Sequence, residues 1–310
     1  MKKVILILVI AVIGIGCSTD DSVDPVDPVN NTPENNYFFK LSIDGVQNDL
    51  LNPVVFDDST DGNVLVSGET VVIGMSASDV SDTDSRYQMV FHFTTEGKLL
   101  NGSLQFFSVI HSNPVYYNFI EYSSYFCQVD NFVIDQVNKI ATIKYTTRLY
   151  SNMTNINSYY REIKTDIKVP YEESATNYGT NFLYYGIEQY CNFDINGQAW
   201  KARHERVAGV FTNEGPFKIE INFANSPTPG NYAFDSSSTA NYVRFAKFNT
   251  STMTYDYYNV TGQVGYTYRE FHGATNYSFI GTCSFTAVNP LNSSDIIQVT
   301  NGTFRSYQHY

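Results

Sequence analysis

The sequence predicts an all-β protein, and three observations carry that prediction. Tyr, Phe, Thr, Ser and Asn are abundant, while only 16% of residues are charged. Aromatic and β-branched side chains favour strands, and Asn, Asp, Gly and Ser favour turns. No long segment repeats its apolar residues with helical periodicity. Two alternating segments, Phe39-Lys40-Leu41-Ser42-Ile43-Asp44-Gly45 and Cys191-Asn192-Phe193-Asp194-Ile195-Asn196-Gly197, each end in an Asx-Gly pair. That pair is a strong hairpin signal, because both turn residues need positive φ.

Before the first strand stands an export signal. Met1-Lys2-Lys3 is basic, residues 4–15 are apolar, and Gly16 precedes Cys17. This is the layout of a secretory signal peptide. The apolar run is shorter than the roughly 20 residues that a spanning helix needs. Gly14-Ile15-Gly16-Cys17 resembles the lipobox of bacterial lipoproteins, which implies cleavage before Cys17 and a lipid on it. It departs from the common pattern at Gly14, where Leu is usual, and at Ile15, where a small residue is usual.

Residues 18–36 hold five acidic side chains, three prolines and no basic residue. Such a segment cannot bury apolar surface and reads as an extended tether. Its acidic run resembles the surface-export signals of Bacteroidetes lipoproteins, and Asp21-Ser22-Val23 resembles the O-glycosylation acceptor of that group. The expected organisation is a leader over 1–16, a lipidated Cys17 and tether over 17–36, and two β domains over 37–180 and 181–310.

The two domains are expected to begin and end alike. Each opens on its Asx-Gly hairpin, and the second hairpin returns through Gln198-Ala199-Trp200-Lys201-Ala202, with the chain's only Trp facing the core. Each closes on a long alternating strand, one ending near Tyr171 and the other near Tyr307. Strands are expected over 64–66, 71–76, 87–94, 104–110, 141–149 and 159–169, then over 217–223, 242–248, 256–268, 277–287 and 296–305. Many short strands with frequent turns imply a sandwich or a barrel, with the pattern leaning towards a sandwich. The polar stretch between 174 and 188 is the expected boundary.

The second half resembles a group of uncharacterised Bacteroidetes lipoproteins. The residues that carry this are Ile195-Asn196-Gly197-Gln198-Ala199-Trp200, Pro229-Gly230-Asn231-Tyr232, Val260-Thr261-Gly262, residues 281–287 and Thr300-Asn301-Gly302-Thr303-Phe304. An aromatic or aliphatic residue is more usual where Cys283 stands. The resemblance implies a β-rich cell-envelope protein, placed at the outer membrane, and no activity.

Composition narrows the function. A net charge of −12 without sequence clusters of basic residues argues against nucleic-acid binding and against electrostatic docking on anionic lipid. The membrane link is therefore expected to be the covalent lipid. With Cys17 lipidated, Cys127, Cys191 and Cys283 remain, without metal-site spacing. Cys191 and Cys283 both alternate with core residues. They are read either as a disulfide between neighbouring strands or as two small buried hydrophobes.

Chemistry-bearing motifs are sparse. His92, His111, His204, His272 and His309 have no partner at ligand spacing, and neither a Gly-x-Ser-x-Gly elbow nor a phosphate-binding glycine loop is present. Asp57, Asp58 and Asp61, and Asp79, Asp82 and Asp84, are loop carboxylates without the EF-hand pattern. No metal or cofactor is expected. The binding candidates are paired tyrosines, Tyr116 and Tyr117 and Tyr257 and Tyr258, since one of each pair should face outward on a strand. Exposed tyrosines can stack on sugars or grip a protein. The expectation is a non-catalytic binding or scaffolding lipoprotein, with a glycan or an envelope protein as partner. The alternative is a surface protein that binds glycans or acts on them without a local motif.

Overall fold

The computed structural model describes residues 37–47, 60–78, 85–108, 114–174, 182–184, 187–205, 209–224, 228–272 and 276–309. Cys17, the leader, the tether, His111, most of the 174–188 boundary and the loop carboxylates other than Asp61 lie outside these residues. The first half contains β1 (Phe38–Ile43), β2 (Val46–Gln47), β3 (Thr60–Ser67), β4 (Thr70–Ser78), β5 (Ser85–Thr94), β6 (Leu99–Ser108), β7 (Val115–Asn118), β8 (Cys127–Asp135), β9 (Ile140–Tyr150), β10 (Tyr160–Pro170) and β11 (Glu172–Glu173). The second contains β12 (Phe182–Tyr184), β13 (Ile187–Ile195), β14 (Gln198–Lys201), β15 (His204–Glu205), β16 (Val210–Thr212), β17 (Phe217–Asn222), β18 (Gly230–Asp235), β19 (Tyr242–Asn249), β20 (Thr254–Tyr257), β21 (Asn259–Phe271), β22 (Asn276–Asn289) and β23 (Asn292–His309).

The two Asx-Gly turns form as the sequence implies. Asp44 and Gly45 have φ of 51° and 81°, and Asn196 and Gly197 have φ of 50° and 77°. Both turns have the double positive φ of a primed hairpin turn. In each half the closing strand then returns antiparallel to the opening strand. β10 lies on β1 with Ile167 opposite Phe39, and β23 lies on β13 with Phe304 opposite Cys191.

The fold is all-β, but the halves differ in how they close. The first half is a single eleven-stranded sheet in the order β11-β3-β4-β5-β6-β7-β9-β10-β1-β2, with β8 also on β9. Its neighbours are antiparallel except β11, which runs parallel to β3. Since β11 follows β10 directly, this pairing curls the sheet back on itself. The inner face is apolar, with Phe39, Phe91, Phe93, Ile143, Tyr145 and Ile167 buried. Phe91 and Phe93 pack 5.1 and 5.0 Å from the Tyr145 ring. Each such aromatic pair adds about 0.5–1.5 kcal/mol to the burial itself.

The second half is a sandwich. A seven-stranded sheet, β12-β13-β23-β22-β21-β18 with β14 on β13, faces a five-stranded sheet, β15-β16-β17-β19-β20. Ile219, Ile221, Val243 and Phe245 of the smaller sheet meet Phe193, Val264, Phe285 and Phe304 of the larger. Phe223 stacks on Phe279 at 4.9 Å, and Trp200 is buried 5.8 Å from Phe193. The sandwich and the barrel-like alternative are thus each taken by one half. No sheet combines described strands of both halves. They meet at a small cluster of Phe119, Tyr150 and Phe248. Beside it the Ser124 N–H and Oγ donate to the Glu214 carbonyl at 3.3 and 2.7 Å.

Two expectations are corrected. The run 256–268 is not one strand. The chain leaves the smaller sheet after Tyr257 and enters the larger at Asn259, with Tyr258 at the crossing. The Cys191–Cys283 bridge is absent, because both are buried thiols and β23 lies between their strands. Two strand spacings are about 9.5 Å, past the roughly 7 Å limit on Cα separation in a disulfide. They stand as small buried hydrophobes, the other reading.

Candidate functional site

The outer face of the larger second-half sheet follows from strand alternation. Cys191, Phe193 and Ile195 are buried on β13, so Tyr190, Asn192 and Asp194 face out. Gly281, Cys283 and Phe285 point inward on β22, so Ile280, Thr282 and Ser284 face out. Register then aligns these residues across the sheet. One transverse row runs Asn231, Gly265, Thr282, Thr303 and Asn192 from β18 to β13. A neighbouring row brings Gln263 opposite Ser284, and Thr300 opposite Asp194.

A shallow depression of about 550 Å³ lies on this face, lined by Asn231, Gln263, Gly265, Thr282, Cys283, Ser284, Thr300, Asn301, Gly302 and Thr303. Its volume falls in the ordinary range of small-molecule sites, about 300–1,000 Å³. Glycine at 265 lets the Asn231 side chain of the neighbouring strand lie directly over the backbone. A Cβ on Gly265 would collide with the Asn231 carboxamide oxygen and the Gly230 carbonyl. A bulge in β23 aims Asn301, held at a φ of 52°, so that its amide donates to Asp194 at 2.6 Å. The outward-facing side chains of this lining carry hydroxyls or amides, and the Asp194 carboxylate beside it is engaged by Asn301.

The next row out changes character. Tyr268, Ile280, Arg305 and Tyr190 lie side by side on the same face. Same-face rows are two residues apart, roughly 6.7 Å. Two tyrosines therefore border the hydroxyl-lined floor, and Tyr268 is 56% exposed. Arg305 is ion-paired with Glu270, which fixes the guanidinium between them. His272 accompanies this pair, with Nε2 2.9 Å from Ser278 Oγ and 3.8 Å from Glu270 Oε2. A nucleophilic relay needs the acid on the other ring nitrogen and an accessible serine. Here both groups address Nε2, and Ser278 is fully buried.

The tyrosines singled out by sequence lie elsewhere. Tyr116 and Tyr258 are buried, Tyr117 is half-buried, and Tyr257 is 45% exposed. Each pair has one buried ring and one more exposed, but Tyr258 lies off the strands, and none of the four lines the depression. Tyr257 donates to Glu220 at 2.6 Å and accepts from Lys218 at 2.7 Å. Tyr258 donates to Asp295 at 2.7 Å, and burial with that carboxylate pushes its phenol up to about 12. Asp295 and Asp256 share a smaller pocket of about 270 Å³. Hydrogen bonds from Asn289 and Tyr258 hold Asp295 below the usual carboxylate value. A proton-donating acid in glycoside hydrolysis needs the opposite shift.

Of the histidines, His92 is half-buried opposite Phe91 and Phe93, as alternation implied, and burial lowers its pKa. Among the described residues no group of three or more His, Cys, Asp and Glu side chains is placed to hold a metal ion. Sequence reading missed the hydroxyl-lined face and its tyrosines, Tyr190 and Tyr268. The available signal was the i, i+2 spacing of Asn192 with Asp194 and of Thr282 with Ser284, which gains meaning only with the register. No family model, curated protein or solved structure matches the chain.

Proposed function

We propose that the protein is a non-catalytic glycan-binding module of the bacterial cell envelope, tethered to the outer membrane by a lipid on Cys17. The observation that supports it best is the uncharged floor of Thr282, Ser284, Thr300, Asn301, Thr303 and Gln263, flanked by Tyr190 and Tyr268. A neutral sugar presents hydroxyls that donate and accept, which amide and hydroxyl side chains match in both senses. It also presents apolar C–H faces, which suit the face of a tyrosine ring. Among the described residues the lining offers a charged ligand no charged side chain. The leader, Cys17 and the acidic tether support the location.

Two measurements test the reading. A glycan array probed with the compact unit Asn36–Tyr310 should give signal on neutral oligosaccharides. Silence on the array, with a protein recovered by cross-linking in cells, would replace the glycan by a protein partner. Separately, Cys17→Ala should abolish lipid labelling and release the chain from membranes; unchanged retention would remove the anchor.

A further inference from the structure

The two halves share a frame, and it locates a second binding face. Asp44 and Asn196 hold the same place, each exchanging hydrogen bonds with its closing strand. Aligned on that contact, Lys40 falls where Asn192 stands, Asp166 where Thr303 stands, and Lys144 where Thr282 stands. The row that is Asn192-Thr303-Thr282 in the second half is therefore Lys40-Asp166-Lys144 in the first. The equivalent outer face of the first half also carries a depression, of about 350 Å³. Its charged lining is Lys40, Lys144 and Lys164 with Asp130 and Asp166, and Ser42 and Thr146 supply hydroxyls between them.

Charge sets this face apart from its counterpart. The protein has a net charge of −12, yet lysines outnumber carboxylates in this hollow, and Lys168 lies on the same strand face two residues beyond Asp166. Lys164 is paired with Glu162 at 2.8 Å. Among the described residues, neither Lys40 nor Lys144 has a carboxylate within ion-pair distance. Lys40 lies instead over the Phe38 ring, 5.1 Å from its centre. Two ammonium groups thus flank Asp166 at a hydroxyl-bearing floor, and among the described residues neither is ion-paired.

We propose that this face binds an acidic glycan through its carboxylates, with Lys40 and Lys144 as the recognising groups. The frame is that of the neutral face, relined for the opposite chemistry: ammonium groups take the ligand's carboxylates, and Ser42 and Thr146 take its hydroxyls. The proposal stands on the repeat and the charge, and not on the ligand proposed for the second half.

The test is a calorimetric titration of Asn36–Tyr310 with an oligogalacturonate, alongside a neutral malto-oligosaccharide. Binding of the galacturonate should weaken several-fold as salt rises from 0.1 to 1 M, where the screening length falls from about 10 to about 3 Å. The double variant Lys40→Gln, Lys144→Gln should lose at least about tenfold in affinity with an unchanged melting temperature, since surface substitutions cost little stability. Thr282→Val with Thr303→Val, on the other face, should leave galacturonate binding intact. Absent binding, unchanged affinity in the lysine variant, or equal loss in the threonine variant would each overturn the proposal. So would binding to anionic phospholipid vesicles in place of galacturonate. Failure of the wild-type unit to bind malto-oligosaccharide, with galacturonate still bound, would count against the second-half reading and leave this one standing.

Discussion

Asp44 and Asn196, residues of two different hairpins, make the same pair of hydrogen bonds. The Asp44 N–H donates to the Glu162 carbonyl and its carboxylate accepts from the Glu162 N–H, both at 2.9 Å. The Asn196 N–H donates to the Gln298 carbonyl and its side-chain oxygen accepts from the Gln298 N–H, both at 2.8 Å. A turn residue so placed fixes both its own positive φ and the register of the closing strand. Asn196→Ala loses the side-chain bond, about 0.5–1.5 kcal/mol, and with it the local hydrogen bonding by which Asn tolerates the left-handed region, where an unsupported Cβ costs about 1–2 kcal/mol. We expect roughly 2–3 kcal/mol of destabilisation by guanidinium denaturation. Asn196→Gly, which keeps the backbone at ease, should lose less. Equal loss in both variants would show that conformation contributes nothing at this turn.

The thiols give a second check. Cys127, Cys191 and Cys283 are buried, and burial pushes the Cys127 thiol up to about 12 and the Cys283 thiol higher still. Thiolate is the reactive form, so the native compact unit should react slowly with a thiol reagent. Unfolded without reductant, it should titrate all three cysteines. A single reactive thiol would reveal a bridge and contradict the strand order that separates Cys191 from Cys283.

His92 sets an expectation for pH. Burial lowers its pKa in the folded state, so below the ordinary histidine value near 6.5 the unfolded chain binds the proton more readily. Stability therefore falls as pH drops from about 6.5 towards the lowered folded value, and is unaffected by this group above it. Melting temperatures of wild type and His92→Gln should converge or cross on acidification through that window. Parallel curves would mean that His92 is not buried as described.

Much of the fold was legible in residue patterns. The Asx-Gly turns, the paired opening and closing strands, and the burial of Trp200 all follow from local rules of alternation and turn chemistry. The strand expected over 256–268 failed because Tyr258 has the composition of a strand residue, while its ring leaves the ladder to reach Asp295. β8 escaped notice because its exposed face leaves no clean alternation, Gln128, Asp130 and Asn131 all being exposed. The candidate faces were the least legible part. Thr282, Thr303 and Asn192 are far apart in sequence, and only the order β22-β23-β13 makes them one surface. Lys40, Lys144 and Lys164 are likewise scattered, which is why the chain shows no basic cluster in sequence and yet presents one in space.

The most direct test of the account is a calorimetric titration of the compact unit with a neutral oligosaccharide, wild type against Thr282→Val and Thr303→Val. Valine keeps the shape and strand preference of threonine and removes only the hydroxyl. Each lost hydrogen bond is worth about 0.5–1.5 kcal/mol, so each variant should bind roughly two- to tenfold more weakly, with its melting temperature unchanged. Wild-type affinity in both variants would contradict the claim that this sheet face holds the ligand.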